Sequence, residues 1–212
     1  MRMALSVIGS LLSLLIAVYA VGIYGFGPGA EYLPSAFRAS FRARSFAFST
    51  HIYASATALL LGPIQFSASL RMSRPVVHRS VGRIYLIVAV PIGGLAGLYL
   101  SGFAFGGIVT KLGFGCLSVL WLFTAFQGYR SARSRDFSAH RRWMIRNYAL
   151  TFAAVTLRLY LLPSLFLRVP FVPSYQVVSW LCWVPNLLAA ESYLRRTSES
   201  PSLEPSTARS ES

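Results

Sequence analysis

The chain has 212 residues, 55% hydrophobic and only 12% charged, whereas a soluble domain of this size carries about twice that charged fraction. Mean hydropathy is +0.55, and the apolar residues fall into solid blocks long enough to cross ~30 Å of hydrocarbon, which takes roughly 20 residues of helix. These features exclude a soluble globular domain, and the lack of alternating apolar and polar residues excludes a β-barrel. The net charge of +14 does not point to nucleic acid. The Arg residues sit in short connections between apolar blocks, where membrane orientation and anionic lipid headgroups account for them, and no nucleic-acid motif accompanies them.

In chain order, the sequence predicts an all-α, polytopic membrane helix bundle of about six spans, near 4–25, 46–68, 84–103, 109–128, 148–167 and 175–191. The first has Arg2 before it, but its apolar stretch from Ala4 to Ile23 outruns a secretory h-region and no small-x-small site follows. It is read as a retained helix. Phe37-Arg38 and Phe41-Arg42 then form either a short interfacial helix or the basic start of a long second span; helix length favours the second form. Gly93, Gly94, Gly97 and Gly102 on the third span read as close helix-packing positions. Cys116 and Cys182, with no C-x-x-C spacing, read as small core residues. Pro163, Pro170, Pro173 and Pro185 interrupt or flank the last two spans and point to kinks rather than missing spans.

Residues 1–191 thus form the transmembrane helical domain. The Ser-, Glu- and Pro-rich stretch 192–212 reads as a disordered cytoplasmic tail. With the N-terminus inside, 13 basic residues lie on the inner side and five (Arg38, Arg42, Arg44, Lys111 and Arg168) on the outer side, which puts both termini in the cytoplasm. The bilayer is the one firm partner. Assembly with further copies of the chain stays open.

The chemistry concentrates in a repeat. Gln65, Arg71, His78 and Arg79 recur as Gln127, Arg133, His140 and Arg141, both copies reading Q-x5-R-x6-H-R, 62 residues apart. Only three His occur in the chain, and two stand at matched places, each where one apolar block ends and the next begins. Ser73-Arg74-Pro75 predicts a helix start with Pro early in the first turn, and Ser134, Asp136 and Ser138 are capping candidates before His140. Both imidazoles then sit near helix N-termini beside Arg79 and Arg141. That setting disfavours imidazolium and leaves the neutral ring that a haem iron or a proton acceptor requires. Arg83 and Tyr85 follow His78, and Arg146 and Tyr148 follow His140, slipped by one residue. The bland alternative is interfacial His and Arg snorkelling to headgroups. Deeper in the hydrocarbon, His51 on the second span and Arg158 on the fifth form a second candidate site, with Tyr53 or Tyr160 as expected neighbours.

The stretch from His51 through LLLGPIQF (Leu59–Phe66), then HRSVGRIYL (His78–Leu86) and HRRWMIRNYALTF (His140–Phe152), resembles the predicted bacterial membrane proteins of domain-of-unknown-function family 2306. The resemblance covers roughly residues 45 to 160 and rests on H-R-x-x-G-R-x-Y and H-R-x-W-M-x-R. It implies a multi-pass protein of the bacterial inner membrane and no particular activity. Its motif positions are His51, His78, Arg79, Gly82, Arg83, Tyr85, His140, Arg141, Trp143 and Arg146.

Three function classes remain. The first is a haem- or quinone-linked redox protein, with His78 and His140 as axial ligands of a haem iron or quinone partners, and Arg79, Arg83, Tyr85, Arg141 and Arg146 binding the cofactor. The second is a small anion or proton-coupled transporter using His51 and Arg158. The third is a structural or partner-binding membrane subunit. No nucleophile triad, zincin motif, P-loop or dinucleotide fingerprint is apparent, so the sequence supplies no assignment as an enzyme.

Overall fold

A computed structural model of the chain describes residues 2–26, 35–167 and 169–198. Every regular element in them is helical. Six long helical rods account for most of the described chain, and they coincide with the six apolar blocks. The first is α1 (Arg2–Ala20), continued by a π-helical turn (Val21–Phe26). The second is α3 (Ser45–Gln65), the third α5 (Pro75–Arg83), a π turn (Ile84–Ala89) and α6 (Val90–Ser101) in sequence, and the fourth α7 (Ile108–Arg133). The fifth joins α8 (Phe137–Thr151) to α9 (Ala153–Phe166), and the sixth joins α10 (Phe171–Leu181) to α11 (Val184–Ser198). Two short helices, α2 (Ser35–Ala43) and α4 (Ala68–Ser73), flank α3. Among the described residues, three helical segments are long and apolar enough to cross a membrane: Val7–Tyr24, Pro75–Ser101 and Ile108–Arg133.

The packing is that of a membrane bundle, with apolar side chains outward and small or polar ones inward. Leu11 is 60% exposed, Leu95 60% and Phe126 60%, while Ser13, Asn147 and Ser179 are buried to 1% or less. In water those apolar faces would be a liability; in lipid they are the solvated surface. α3 packs on α6, α6 on α7 and α7 on α8, and α8 returns to touch α3. α1 covers α3 and α9, while α10 fills the gap between α7 and α9. The core joins Tyr85, Val90, Trp121, Leu150 and Trp183.

The glycines act as expected at three of four positions. A methyl added at Gly93 would meet Ser55 Oγ at 3.1 Å and the Trp121 ring at 3.2 Å, at Gly94 it would meet Leu122 at 2.6 Å, and at Gly97 His51 at 3.0 Å. Gly102 touches only the carbonyl of Tyr99 in its own turn, so it opens no contact with another helix. The turn into α7 uses Gly106 and Gly107 at φ 99° and 82°, where a side chain would be strained.

Four expectations need correction. Residues 35–43 are a separate helix, because the chain breaks at Arg44 (φ −130°, ψ 32°) rather than running on as one long second span. Cys182 is buried, but Cys116 is exposed on the outward side of α7, since a thiol carries no polar cost against lipid and need not be inside. Of the prolines, Pro185 stands second in α11, after the interruption at Cys182 and Trp183, and Pro163 lies within α9 without ending it. The fifth rod breaks instead at Phe152. α11 continues through Ser198, past the tail boundary set after 191; residues 199–212 and Arg168 lie outside the described residues.

Candidate functional site

The repeat is built into the helix starts. Pro75 is the first residue of α5 and Phe137 the first of α8, so His78 and His140 each stand fourth in their helix, 62 residues apart. The helices begin by different means. α5 uses Pro at N1, where the missing N–H costs nothing. α8 is capped by Asp136, which accepts from Ala139 N at 2.8 Å and from Ser138 Oγ at 2.9 Å. Those two donors, the Ala139 amide first, hold the Asp136 carboxyl below the usual carboxylate range. The turn before it is a Schellman close, with Asp136 N bonded to Ser131 O at 3.0 Å, Arg135 N to Ala132 O at 3.2 Å and Arg135 at φ 61°.

His140 Nδ1 lies 2.8 Å from Gly128 O on α7. A carbonyl only accepts, so Nδ1 carries the proton and Nε2 keeps its lone pair in the neutral ring. His78 does not repeat this anchor. The residue matching Gly128 is Phe66, which already lies past the end of α3, whereas α7 runs on to Arg133. His78 Nδ1 is therefore buried without a hydrogen-bond partner. His78 and His140 are close enough to feel each other's charge, and Arg71 acts on His78 as well.

Beside them, Gln65 is 9% exposed, and its Nε2 is also buried without a partner. A methyl on Gly82, one turn beyond His78, would meet Gln65 Oε1 at 3.0 Å, so this glycine makes room for the amide. Gln65 was visible in the repeat, but its burial was not.

The arginines part company. Arg146 forms a bidentate pair with Glu191 on α11, at 2.5 and 2.9 Å, and lies 4.9 Å from the centre of the Trp143 ring. Its charge is thus already matched. Arg141 donates to Tyr193 OH at 3.2 Å. Arg79 and Arg83 are exposed.

Tyr85 turns away from the surface altogether. It is 0% exposed, and its hydroxyl donates to Asn147 Oδ1 at 2.7 Å and meets Thr151 Oγ1 at 2.8 Å. Trp121 Nε1 reaches the same Thr151 hydroxyl at 2.8 Å, while Asn147 Nδ2 donates to Trp121 O and Thr124 Oγ1, each at 2.8 Å. Tyr85 and Asn147 are themselves 62 residues apart. The true counterpart of Tyr85 is Asn147 rather than Tyr148, so repeat-related residues meet at a buried hydrogen bond. Sequence reasoning missed Asn147, Thr151, Trp121 and Thr124; the signal was present in the 62-residue offset once no slip is allowed. The π turn at Ile84–Ala89 precedes Pro91, whose ring would clash with the carbonyl four residues back in a regular helix. The same turn carries Tyr85 into the core.

His51 and Arg158 form the other cluster. His51 follows shortly after the start of α3, fourteen residues or ~21 Å before Gln65, and Arg158 follows His140 by eighteen residues, ~27 Å along the fifth rod. Both therefore lie toward the end of the bundle away from His78 and His140. His51 Nδ1 is 2.8 Å from Gly93 O, and Arg158 is among the charges acting on it. The tyrosines whose charge acts on Arg158 include Tyr24, Tyr19 and Tyr175. They come from α10 and the first rod, which pack on α9, a neighbourhood that only tertiary packing creates.

The apolar exterior, the six rods and the buried polar seam together define a helical membrane protein. The chain belongs to the family described as Predicted membrane protein (DUF2306), which matches residues 48–194 and so includes His51, His78, His140, Arg158 and Glu191. No curated protein and no solved structure matches the chain.

Proposed function

We propose that this is a redox membrane protein that holds a haem between His78 and His140, at the cytoplasmic ends of two parallel hairpins. The observation that carries the reading is the 2.8 Å contact of His140 Nδ1 with Gly128 O, because ligating imidazoles are oriented by such an N–H to a carbonyl, leaving Nε2 for the metal. His78 supplies a second imidazole within electrostatic reach. Arg79, Arg83 and Arg141 stand at the same ends for propionates, whereas Arg146, paired with Glu191, contributes to docking α8 on α11. Six spanning rods with both termini in the cytoplasm follow from the basic-residue asymmetry.

The protein purified in detergent after expression with ample haem should show a Soret band that shifts on dithionite reduction. A colourless protein under those conditions would rule out haem.

A second reading, a quinone at the same place, is favoured by the two buried polar atoms without partners, Gln65 Nε2 and His78 Nδ1, a donor and a titratable ring nitrogen suited to a carbonyl oxygen. Phe66, which follows Gln65 in the chain, lines a cleft with Tyr148 and Phe152, which suits an apolar ring arriving through lipid. In that case Gln65→Leu should abolish quinone-dependent turnover in a colourless protein.

A further inference from the structure

At the end of the bundle away from His78 and His140, a furrow of about 440 Å³ runs between the start of α3 and α6. It is lined by Arg44, Phe46, Ala47 and Thr50 on one side and by Ala96 and Tyr99 on the other. The two alanines leave it room, while Phe46 at 85% and Tyr99 at 53% exposure stand out toward the surrounding bilayer. Its charge comes from Arg44, at the break between α2 and α3. Arg44 Nη1 donates to Ser40 Oγ at 3.4 Å, and its guanidinium carbon lies 3.7 Å from the centre of the Phe103 ring. Those contacts tie it to α2 and to the turn after α6, and the Phe41 ring, 4.8 Å from that of Phe48, holds α2 against α3. An arginine offers five donors, and Ser40 is the one side-chain acceptor that Arg44 meets among the described residues, so further N–H groups remain open. Arg42, exposed and two residues earlier, adds a second cation. The described carboxylates are Asp136 and Glu191; the first caps α8 and the second pairs with Arg146.

The furrow thus joins a donor-rich, cationic head to an apolar groove open to lipid. A phosphate diester matches the head, because guanidinium binds phosphate through paired charge-assisted hydrogen bonds, and hydrocarbon matches the groove. A zwitterionic headgroup would bring an ammonium as well, for which the described lining holds no carboxylate. We propose that this furrow is a binding site for one anionic phospholipid, its phosphate on Arg44 beside Arg42 and an acyl chain lying between α3 and α6. With both termini in the cytoplasm, the site opens to the outer leaflet. It stands apart from the two-histidine site and does not draw on the haem reading.

Phosphatidylglycerol is the probe. The full-length protein in dodecyl maltoside micelles is unfolded thermally while phosphatidylglycerol is added stepwise, with phosphatidylcholine of the same chains in parallel. A ligand that binds only the folded state raises the unfolding midpoint as its concentration passes Kd, so the wild type should show a saturable rise with phosphatidylglycerol well beyond that with phosphatidylcholine. Arg44→Gln should move the half-saturating lipid roughly tenfold upward, since one hydrogen bond to a charged group is about that strong. Ala47→Leu, which fills the furrow and leaves both cations, should weaken the response too. Arg130→Gln, which removes an exposed cation at the other end, should leave it unchanged. Inorganic phosphate alone should not reproduce the rise, because the hydrocarbon contacts are missing. If Arg44→Gln does not fold, Arg42→Gln and Ala47→Leu carry the test. No wild-type response, or an equal one to both lipids, overturns the proposal. So does a rise with inorganic phosphate alone, a response that Arg130→Gln weakens as much, or one that any folded furrow variant leaves unchanged.

Discussion

At the scale of single residues, the buried seam of Tyr85, Asn147, Thr151, Trp121 and Thr124 explains why a membrane interior tolerates so many polar groups here: each hydroxyl, amide or indole N–H in it has a named partner. Satisfied networks of this kind fix a unique packing, and opening one leaves desolvated atoms behind. Tyr85→Phe keeps the ring and removes the hydroxyl, leaving Asn147 Oδ1 without its donor. It should destabilise the protein by about 1–3 kcal/mol, read as an earlier transition in detergent unfolding. Asn147→Leu breaks bonds to three side chains or carbonyls at once and should cost more than Tyr85→Phe in the same assay. The seam could have been anticipated only in part. Tyr85 stood out in the sequence, but Asn147 looks like any polar residue until the 62-residue offset is applied without slippage.

At the scale of elements, the rods were legible because hydropathy reports directly on what faces lipid, and each apolar block became helix. Breaks and caps were less so. The separation of α2 from α3 at Arg44 has no proline or glycine signal. The guanidinium instead sits 3.7 Å from the centre of the Phe103 ring, a contact between segments distant in sequence. The break at Phe152 also lacks a helix-breaking residue, and the structure offers no local cause for it. Close packing does make a prediction here. A methyl at Gly62 would overlap the Tyr148 ring, so Gly62→Ala should push α3 from α8 and cost about 1–3 kcal/mol, measured again as loss of unfolding free energy. A pH effect belongs to this scale too. The folded Asp136 carboxyl is depressed by its bonds to the Ala139 amide and Ser138 hydroxyl. Its stabilising effect is therefore present above the ordinary Asp range, near pH 4, and is lost as pH falls through the lower folded value. The protection of the first amides of α8, corrected for the intrinsic pH dependence of exchange, should fall on acidification through that window, and Asp136→Asn should flatten the change.

At the scale of the whole molecule, the 62-residue repeat organises two hairpins, α3 with α5–α6 and α7 with α8–α9, around a contact between equivalent positions. That arrangement brings Tyr85 to Asn147, and it sets Arg158 toward the end opposite the histidine-bearing helix starts. Sequence could show that the repeat exists and which residues it carries. It could not show that the copies differ at their anchors, because that difference arises where α3 stops at Gln65 while α7 continues to Arg133. The orientation is open to direct test: a reporter fused after Ser212 should be active on the cytoplasmic side, and activity on the outer side would reverse the assignment of both sites.

The claim that the two repeat-related histidines share one redox group is tested most directly by haem stoichiometry in single variants. Wild type, His78→Ala and His140→Ala are purified in parallel, confirmed folded by their helical circular dichroism, and assayed for haem bound per chain. The account predicts one haem in the wild type and its loss or conversion to a high-spin spectrum in each variant. Full low-spin occupancy retained in either folded variant would contradict it.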